Sequence, residues 1–455
     1  MTTESHSSAT QPPPSQRPPM SNEARHSAVA NANLSRLARG VLSQLAKLRG
    51  GQILLVLPNG SHVTLGTPSD DGLEATVTVH QERFFREVAL GGSLGAAEAY
   101  LQQLWDVDDL VALIRIFCRN LDQPTATEGL IARLAMTGMR LLHWMSRNTR
   151  RGSRRNIAAH YDLSNEFFQL FLDPTMMYSS GLFTNIRNDR HQSHHSRSFD
   201  LGLPEDPARL VAELEAASLQ KIDQALHHLG VQAGDRLIEI GTGWGALAER
   251  AAREYGCHVT TTTISRQQYD FARNRIEQAG LSNRVTLLFE DYRDLPAKGD
   301  QYDHLISIEM IEAVGHHFLP TYFSTCSKLL KPQGRMLIQA ITMPDSRYES
   351  YCRSVDYIQK YIFPGGHLPS VSAMKDAASQ TDCLSYRISQ EFPLSYARTL
   401  RSWRRRFLDK LPEVRSLGFD ERFLRMWDYY LCYCEGAFLE GAVGVGQFVW
   451  QKGER

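Results

Sequence analysis

Apolar and polar positions along the chain change rhythm part-way. In "QILLVLPNGSHVTLG" the apolar residues flank Asn59-Gly60, which reads as a hairpin, and "ATVTVH" supplies a third strand. "SLGAAEAYLQQLWDVDDLVALIRIFCRNL" then carries apolar residues at helical spacing, with Ser93 placed to cap the helix. This pattern predicts a small α+β domain over residues 29–145 with no catalytic cluster of its own. From Ile157 onward strands alternate with stretches long enough for helices: "RLIEIG", "HVTTTTIS", "RVTLLFE", "YDHLISIE" and "RMLIQAIT". That alternation predicts an α/β domain over residues 157–455, a Rossmann-like sheet with helices on both faces.

Composition narrows the possible partners. The 455 residues carry 50 basic and 50 acidic side chains, a balance that does not suggest nucleic acid as a partner. Residues 1–28, rich in Ser and Pro, read as a disordered tail, and no run of apolar residues is long enough to cross a membrane. The seven cysteines are scattered; the closest pair, Cys432 and Cys434, lacks a second pair, so neither a disulfide framework nor a metal site is expected. His191, His194 and His195 lie among polar residues and do not make a convincing ligand set. The expected setting is the cytoplasm.

Two basic stretches stand out. Arg147, Arg150, Arg151, Arg154 and Arg155 crowd the segment 146–156, which reads as a linker or as an arm for anionic headgroups. "YARTLRSWRRRFLDK" sets Arg398, Arg401, Arg404, Arg405 and Arg406 beside Leu400, Trp403 and Phe407. It reads either as a solvated helix face or as a helix that docks on a bilayer.

The chemistry begins at "RLIEIGTGWGALAERAA". Gly241, Gly243 and Ala246 fit a dinucleotide-binding pattern, but the second strand ends in Thr261 to Ser265 without the acidic residue that such a fold uses on the ribose. Glu239 instead lies inside the first strand, before the tight Gly241, Gly243, Gly245 turn. That arrangement favours S-adenosylmethionine. "EDYRDL", with Asp291, Tyr292 and Arg293, follows where a class I methyltransferase borders the adenine, and "ISIEMIEAVG" follows where its catalytic loop begins.

With "AAHYDLSNEFFQLFLDPTMMYSSGLF", "IEIGTGWGALA", "TTTISRQQ", "EDYRDL", "SIEMIEAVG", "YIFPGGHLPS" and "WDYYLCYCEGAF" in order, the chain resembles the cyclopropane-fatty-acyl-phospholipid synthases and the mycolic-acid methyltransferases related to them. The resemblance runs from Asn156 to Lys452. It extends more loosely to "GSLGAAEAY", which would make the N-terminal domain one for lipid docking and dimerisation.

The resemblance implies an attack by the double bond of an unsaturated phospholipid chain on the sulfonium methyl, at the inner membrane surface. A carbocation results, and loss of a proton closes a cyclopropane ring; hydride shift gives products without a ring. Cofactor positions carried over are Tyr178, Ser179, Gly241, Thr242, Gly243, Thr263, Ser265, Gln268, Tyr292 and Arg293, and Tyr178, Phe183, Tyr357, Tyr361 and Phe363 are candidate walls for the cation. Family members hold a bicarbonate base with Cys, Glu, His and Tyr. Here Glu312 and Tyr396 match, whereas Ser180 replaces the Cys and Gln339 the His. Cys434 matches a cysteine sometimes given a catalytic role. The two replacements leave both bicarbonate and ring closure open.

Overall fold

Alternation in the N-terminal third produces the sheet it predicts. The computed structural model describes residues 34–121, 163–186, 201–381 and 384–454. The predicted tail, the basic segment 146–156 and the three clustered histidines lie outside the described residues. Helix α1 (Arg36–Leu45) is capped by the Ser35 hydroxyl, which accepts from the Ala38 amide. Strands β1 (Gly51–Val56) and β2 (His62–Thr67) form the hairpin around Asn59-Gly60, and β3 (Glu74–Val79) runs parallel to β1.

The long helical stretch that follows is divided. Helix α2 (Arg83–Leu101) starts before Ser93 and bends at Gly92, where φ is 57° and ψ is −136°. A Cβ at Gly95 would collide with the Glu87 carbonyl, so the bend also depends on a missing side chain. The short strand β4 (Trp105–Val107) then pairs with β3, and Asp109 caps α3 (Leu110–Cys118). The predicted cap at Ser93 is therefore a residue just past a kink inside α2. The sheet order is β2-β1-β3-β4.

The remaining elements are α4 (Asn165–Phe171), α5 (Pro207–Leu229), β5 (Arg236–Ile240), α6 (Ala246–Glu254), β6 (His258–Thr262), α7 (Arg266–Gln278), β7 (Val285–Leu288), β8 (Tyr302–Ile308), α8 (Leu319–Leu329), β9 (Leu330–Thr342), α9 (Asp345–Tyr351), α10 (Val371–Ser379), β10 (Leu384–Glu391), α11 (Pro393–Asp409), α12 (Leu411–Ser416), α13 (Glu421–Leu439) and β11 (Gly444–Lys452). The seven-stranded order is β10-β11-β9-β8-β5-β6-β7. Five strands, β5 to β9, form a parallel ladder, and β11 enters antiparallel to both β9 and β10. This is the expected α/β sheet. Strand β11 reads "GVGQFVWQK", and every residue of it but one is buried, as an inner strand covered on both faces requires.

The two sheets belong to units joined by charge as well as by packing. Arg115 and Arg119 of α3 bridge Asp71, at the end of the loop after β2, to Glu440, just past α13, at 2.6 to 3.2 Å. The Arg119 guanidinium holds the Asp71 carboxyl far below its ordinary range. Arg425 of α13 lies over the Tyr100 ring, 3.8 Å from its centroid, and donates to the Tyr100 and Trp105 carbonyls.

Arg398, Arg401, Arg404 and Arg405 of helix α11 are paired rather than free. Arg398 pairs with Glu213, Arg401 with Glu435 and Arg404 with Asp428, each at 2.6 or 2.7 Å, while Arg405 donates to the Pro204 and Glu205 carbonyls. Arg406 has a buried Nη1. These pairings hold the arginines within the protein, while Arg401, Arg404 and Arg405 keep about a third of their side chains exposed. Among the described residues no helix is long and apolar enough to cross a membrane.

Candidate active site

Ligands in open α/β sheets meet the carboxyl ends of the parallel strands, and a cavity of about 950 Å³ opens there. One end is floored by the glycine turn between β5 and α6. Gly241, Gly243 and Gly245 have φ of 101°, 52° and 87°, the left-handed region in which glycine has no Cβ to clash. A Cβ at Gly243 would point into open space, whereas one at Gly245 would press on Ala272 at 3.1 Å. Gly243 therefore faces the cavity, and Gly245 serves the packing of α6 on α7. The Gly241 and Thr242 amides both donate to the Thr262 carbonyl, so they tie β5 to β6.

The other positions expected to hold cofactor gather around that floor. Tyr178, Ser179, Glu239, Thr242, Thr263, Ser265, Gln268, Asp291, Tyr292 and Arg293 all line the cavity with Gly241 and Gly243. Glu239 is buried and accepts from the Thr261 hydroxyl at 2.6 Å; burial pushes its carboxyl up to about 8. Thr263 donates to the Gln268 side chain, and Ser265 caps α7. Asp291 clamps Arg293 through Nε and Nη2 at 2.8 and 2.6 Å, which fixes the segment bearing Tyr292.

At the end of β8 the structure regroups the expected base. The Glu309 carboxylate accepts from three of the four positions assigned to the anion: the Ser180 amide and Gln339 Nε2 on Oε1, at 2.9 and 2.8 Å, and the Tyr396 hydroxyl on Oε2, at 2.9 Å. Glu312 is not in this cradle. Its Oε1 accepts from the Ile341 amide at 2.6 Å, and its Oε2 is buried without a partner. The Ser180 hydroxyl also turns away and donates to the Gly181 carbonyl, so Ser180 contributes its backbone. Gln339 in turn accepts from Gln447 of β11. A free bicarbonate does not fit this cradle, because a carboxylate of the chain already occupies its donors.

Glu309 was missed by sequence reasoning, and so was Lys221. Lys221 of α5 is fully buried, and its Nζ donates to the Ser179 hydroxyl at 2.5 Å. Burial lowers its ammonium to about 8, while Glu309 and Asp173 oppose that fall. Burial also raises Glu309, and the Lys221 charge and the three donors pull it back. Glu312 has no such counterweight: burial, then the Glu309 charge, raise it to about 8. Both carboxyl groups are thus raised by burial, and Glu309 alone has the Lys221 charge and three donors that favour its ionised form.

The aromatic walls are partly those expected. Tyr178 and Phe363 line the cavity, and the Tyr178 hydroxyl meets that of Tyr430 at 2.9 Å. Tyr357 instead donates to the Met426 carbonyl, Tyr361 to Glu98, and Phe183 lies under Arg398. In their place α13 presents Tyr430, Tyr433, Cys434, Ala437 and Phe438, a stripe at helical spacing. Burial pushes the Cys434 thiol up, which suits a wall and not a nucleophile. The far end of the cavity is made by the N-terminal unit, with Val41, Leu45, Leu90 and Phe117.

Similarity to known proteins agrees with this geometry. The mycolic acid cyclopropane synthetase family matches residues 148–448. The tuberculostearic acid methyltransferase UfaA1 of Mycobacterium tuberculosis is 37% identical over 394 residues, 84% of each chain. The cyclopropane-fatty-acyl-phospholipid synthase of Escherichia coli is 33% identical, over 83% of this chain and 88% of its own. Among solved structures, mycolic acid cyclopropane synthase CmaA1 complexed with SAH and CTAB aligns with a TM-score of 0.56 at 29% identity, covering 66% of this chain and 98% of that one. The open space over Gly243, beside a buried carboxyl and a ring of cavity-facing polar groups, fits the cofactor that such enzymes use. The chain belongs to the mycolic acid cyclopropane synthetase family and is an S-adenosylmethionine-dependent methyltransferase.

Proposed function

We propose that this enzyme methylates the double bond of an unsaturated acyl chain on a membrane phospholipid, and that Glu309 takes the proton, giving a branched product without a ring. The relatives' names support the lipid substrate. The observation that carries the proton acceptor is the Glu309 carboxylate held by Ser180, Gln339 and Tyr396.

S-adenosylmethionine, when bound, supplies an electrophilic methyl group. The residues that would hold it are those around Gly243, with Glu239 and Gln268 toward its polar part and Tyr292 beside its adenine. The chain's own task is to keep the alkene dry and to hold the base. Tyr178, Phe363 and Tyr430 line the cavity, where aromatic rings stabilise a growing positive charge and exclude water that would capture it. The alkene π pair would form the new carbon–carbon bond to that methyl as its bond to sulfur breaks, the sulfur keeping the pair and the other alkene carbon becoming the cation. A hydride shift from the methylated carbon to its neighbour moves the cation onto the branch point. Loss of a proton from the new methyl to Glu309 then leaves an exocyclic methylene. Reduction to a saturated methyl branch needs a hydride donor from another enzyme.

The experiment is incubation of the purified protein with methyl-labelled S-adenosylmethionine and vesicles of unsaturated phospholipid, in buffer stripped of carbonate. The expected result is label in the lipid, vinylidene proton resonances in the product, and no gain on adding carbonate. A carbonate-dependent enzyme that makes only cyclopropane would overturn the assignment of Glu309. Label that stays out of the lipid would overturn the substrate.

A further inference from the structure

Behind the wall that carries Glu312 lies a group of side chains unused by the chemistry above. His316, Cys352 and His367 bring one ligand atom each within 4.8 Å of one another. They come from three segments: the turn after Gly315, the end of α9, and the loop before α10. We propose that these residues bind a zinc ion, with water from the adjoining groove in the fourth position.

The geometry is close to what the metal requires. Zinc takes sulfur at about 2.3 Å and nitrogen at about 2.0–2.1 Å in a tetrahedron, which sets a sulfur–nitrogen edge of about 3.6 Å. Cys352 Sγ and His367 Nε2 are 3.7 Å apart. The Tyr348 hydroxyl lies 2.8 Å from His316 Nδ1 and 3.2 Å from His367 Nε2, so it draws the two imidazoles together and gives up its bond to His367 Nε2 when the ion takes that nitrogen. His367 is buried, and its ring packs on Tyr351 with centroids 5.0 Å apart, which limits its freedom to turn away. His316 and Cys352 are exposed, and a groove lined by His316, His317, Tyr348 and Glu349 gives an ion a path from solvent.

Binding replaces the Cys352 thiol proton, which goes to solvent, by a zinc–sulfur bond. The ion would lock three segments that otherwise meet through rings and hydrogen bonds. One of them reaches the active site directly, since the His367 amide donates to the Glu312 carbonyl at 2.8 Å. Zinc at this position therefore stiffens the back of the catalytic wall without touching substrate.

The test uses the full chain, reduced and stripped of metal. Cobalt(II) serves as the spectroscopic probe and zinc(II) as its competitor. The expected result is a thiolate-to-cobalt charge-transfer band in the wild-type protein that zinc removes, and a zinc-induced rise in Tm. Cys352→Ser should abolish the band, and His316→Ala, a change at an exposed side chain, should weaken zinc binding about tenfold or more, the lower bound for losing a residue that serves a metal site. Cys352→Ser should gain no Tm with zinc, and His316→Ala should gain less than the wild type at the same zinc concentration. A wild-type protein with no charge-transfer band would overturn the site, and so would equal zinc affinity in wild type and His316→Ala.

Discussion

Glu309 and Glu312 stand one helical turn apart beyond β8 and share their burial, yet their hydrogen-bond partners and nearby charges differ. Glu309 meets three donors and a buried ammonium group. Glu312 meets one amide and leaves an oxygen alone. Depth alone does not decide the charge of a carboxyl group. Both are enclosed, and the compensating donors and Lys221 favour the ionised form at Glu309 where Glu312 lacks them.

The largest expected effect comes from removing the Glu309 carboxyl. Glu309→Gln should lower lipid methylation by about 10²- to 10⁴-fold, the usual worth of a positioned base, with S-adenosylmethionine affinity unchanged by calorimetry. If the rate barely moves, the two carboxyl groups do not have separate roles. Lys221→Met should act next. Loss of a buried cation beside a buried anion costs about 3–5 kcal/mol in urea unfolding. Without that cation Glu309 ionises less readily, so the acid limb of the rate profile should move to higher pH. A weaker but folded enzyme with an unmoved limb would break the link between Lys221 and Glu309.

Glu312→Gln resembles the protonated acid and should cost about tenfold at most, near the worth of one hydrogen bond. A loss as large as that of Glu309→Gln would reassign the base to Glu312. The smallest signal is in stability against pH. Because the Glu312 carboxyl is raised from 4.5 to about 8 in the folded chain, its contribution is complete below about 4.5 and is lost as pH rises through 8. Urea midpoints should therefore fall across that window, and Glu312→Gln should flatten the fall.

Much of this was legible in the sequence, for identifiable reasons. The five parallel strands announce themselves as apolar runs bounded by turns, and the glycine turn has few other uses. Strands β10 and β11 were missed because "LSYRISQE" is half polar and "GVGQFVWQK" places Gln447 and two glycines inside a buried strand. "SIEMIEAVG" offers two glutamates, and spacing cannot say which one turns toward Ser180. The backbone does: Glu309 has φ of 49°, a left-handed residue directly after the strand, with its amide fixed to the Gln339 carbonyl. Lys221 left a clearer trace. It lies on the apolar stripe of α5 with Leu214, Ala217 and Ala225, where a lysine with no function would be costly.

The ion pairs that weld Arg115 and Arg119 to Asp71 and Glu440 set the far wall of the cavity in place. A rigid enclosure of fixed depth works as a gauge. An acyl chain lying in it would present one particular carbon to the methyl donor, and an isomer with its double bond shifted along the chain would miss by the length of the shift. Choice among unsaturated lipids then becomes a matter of measurement, and the instrument is calibrated by residues that never meet the reacting bond.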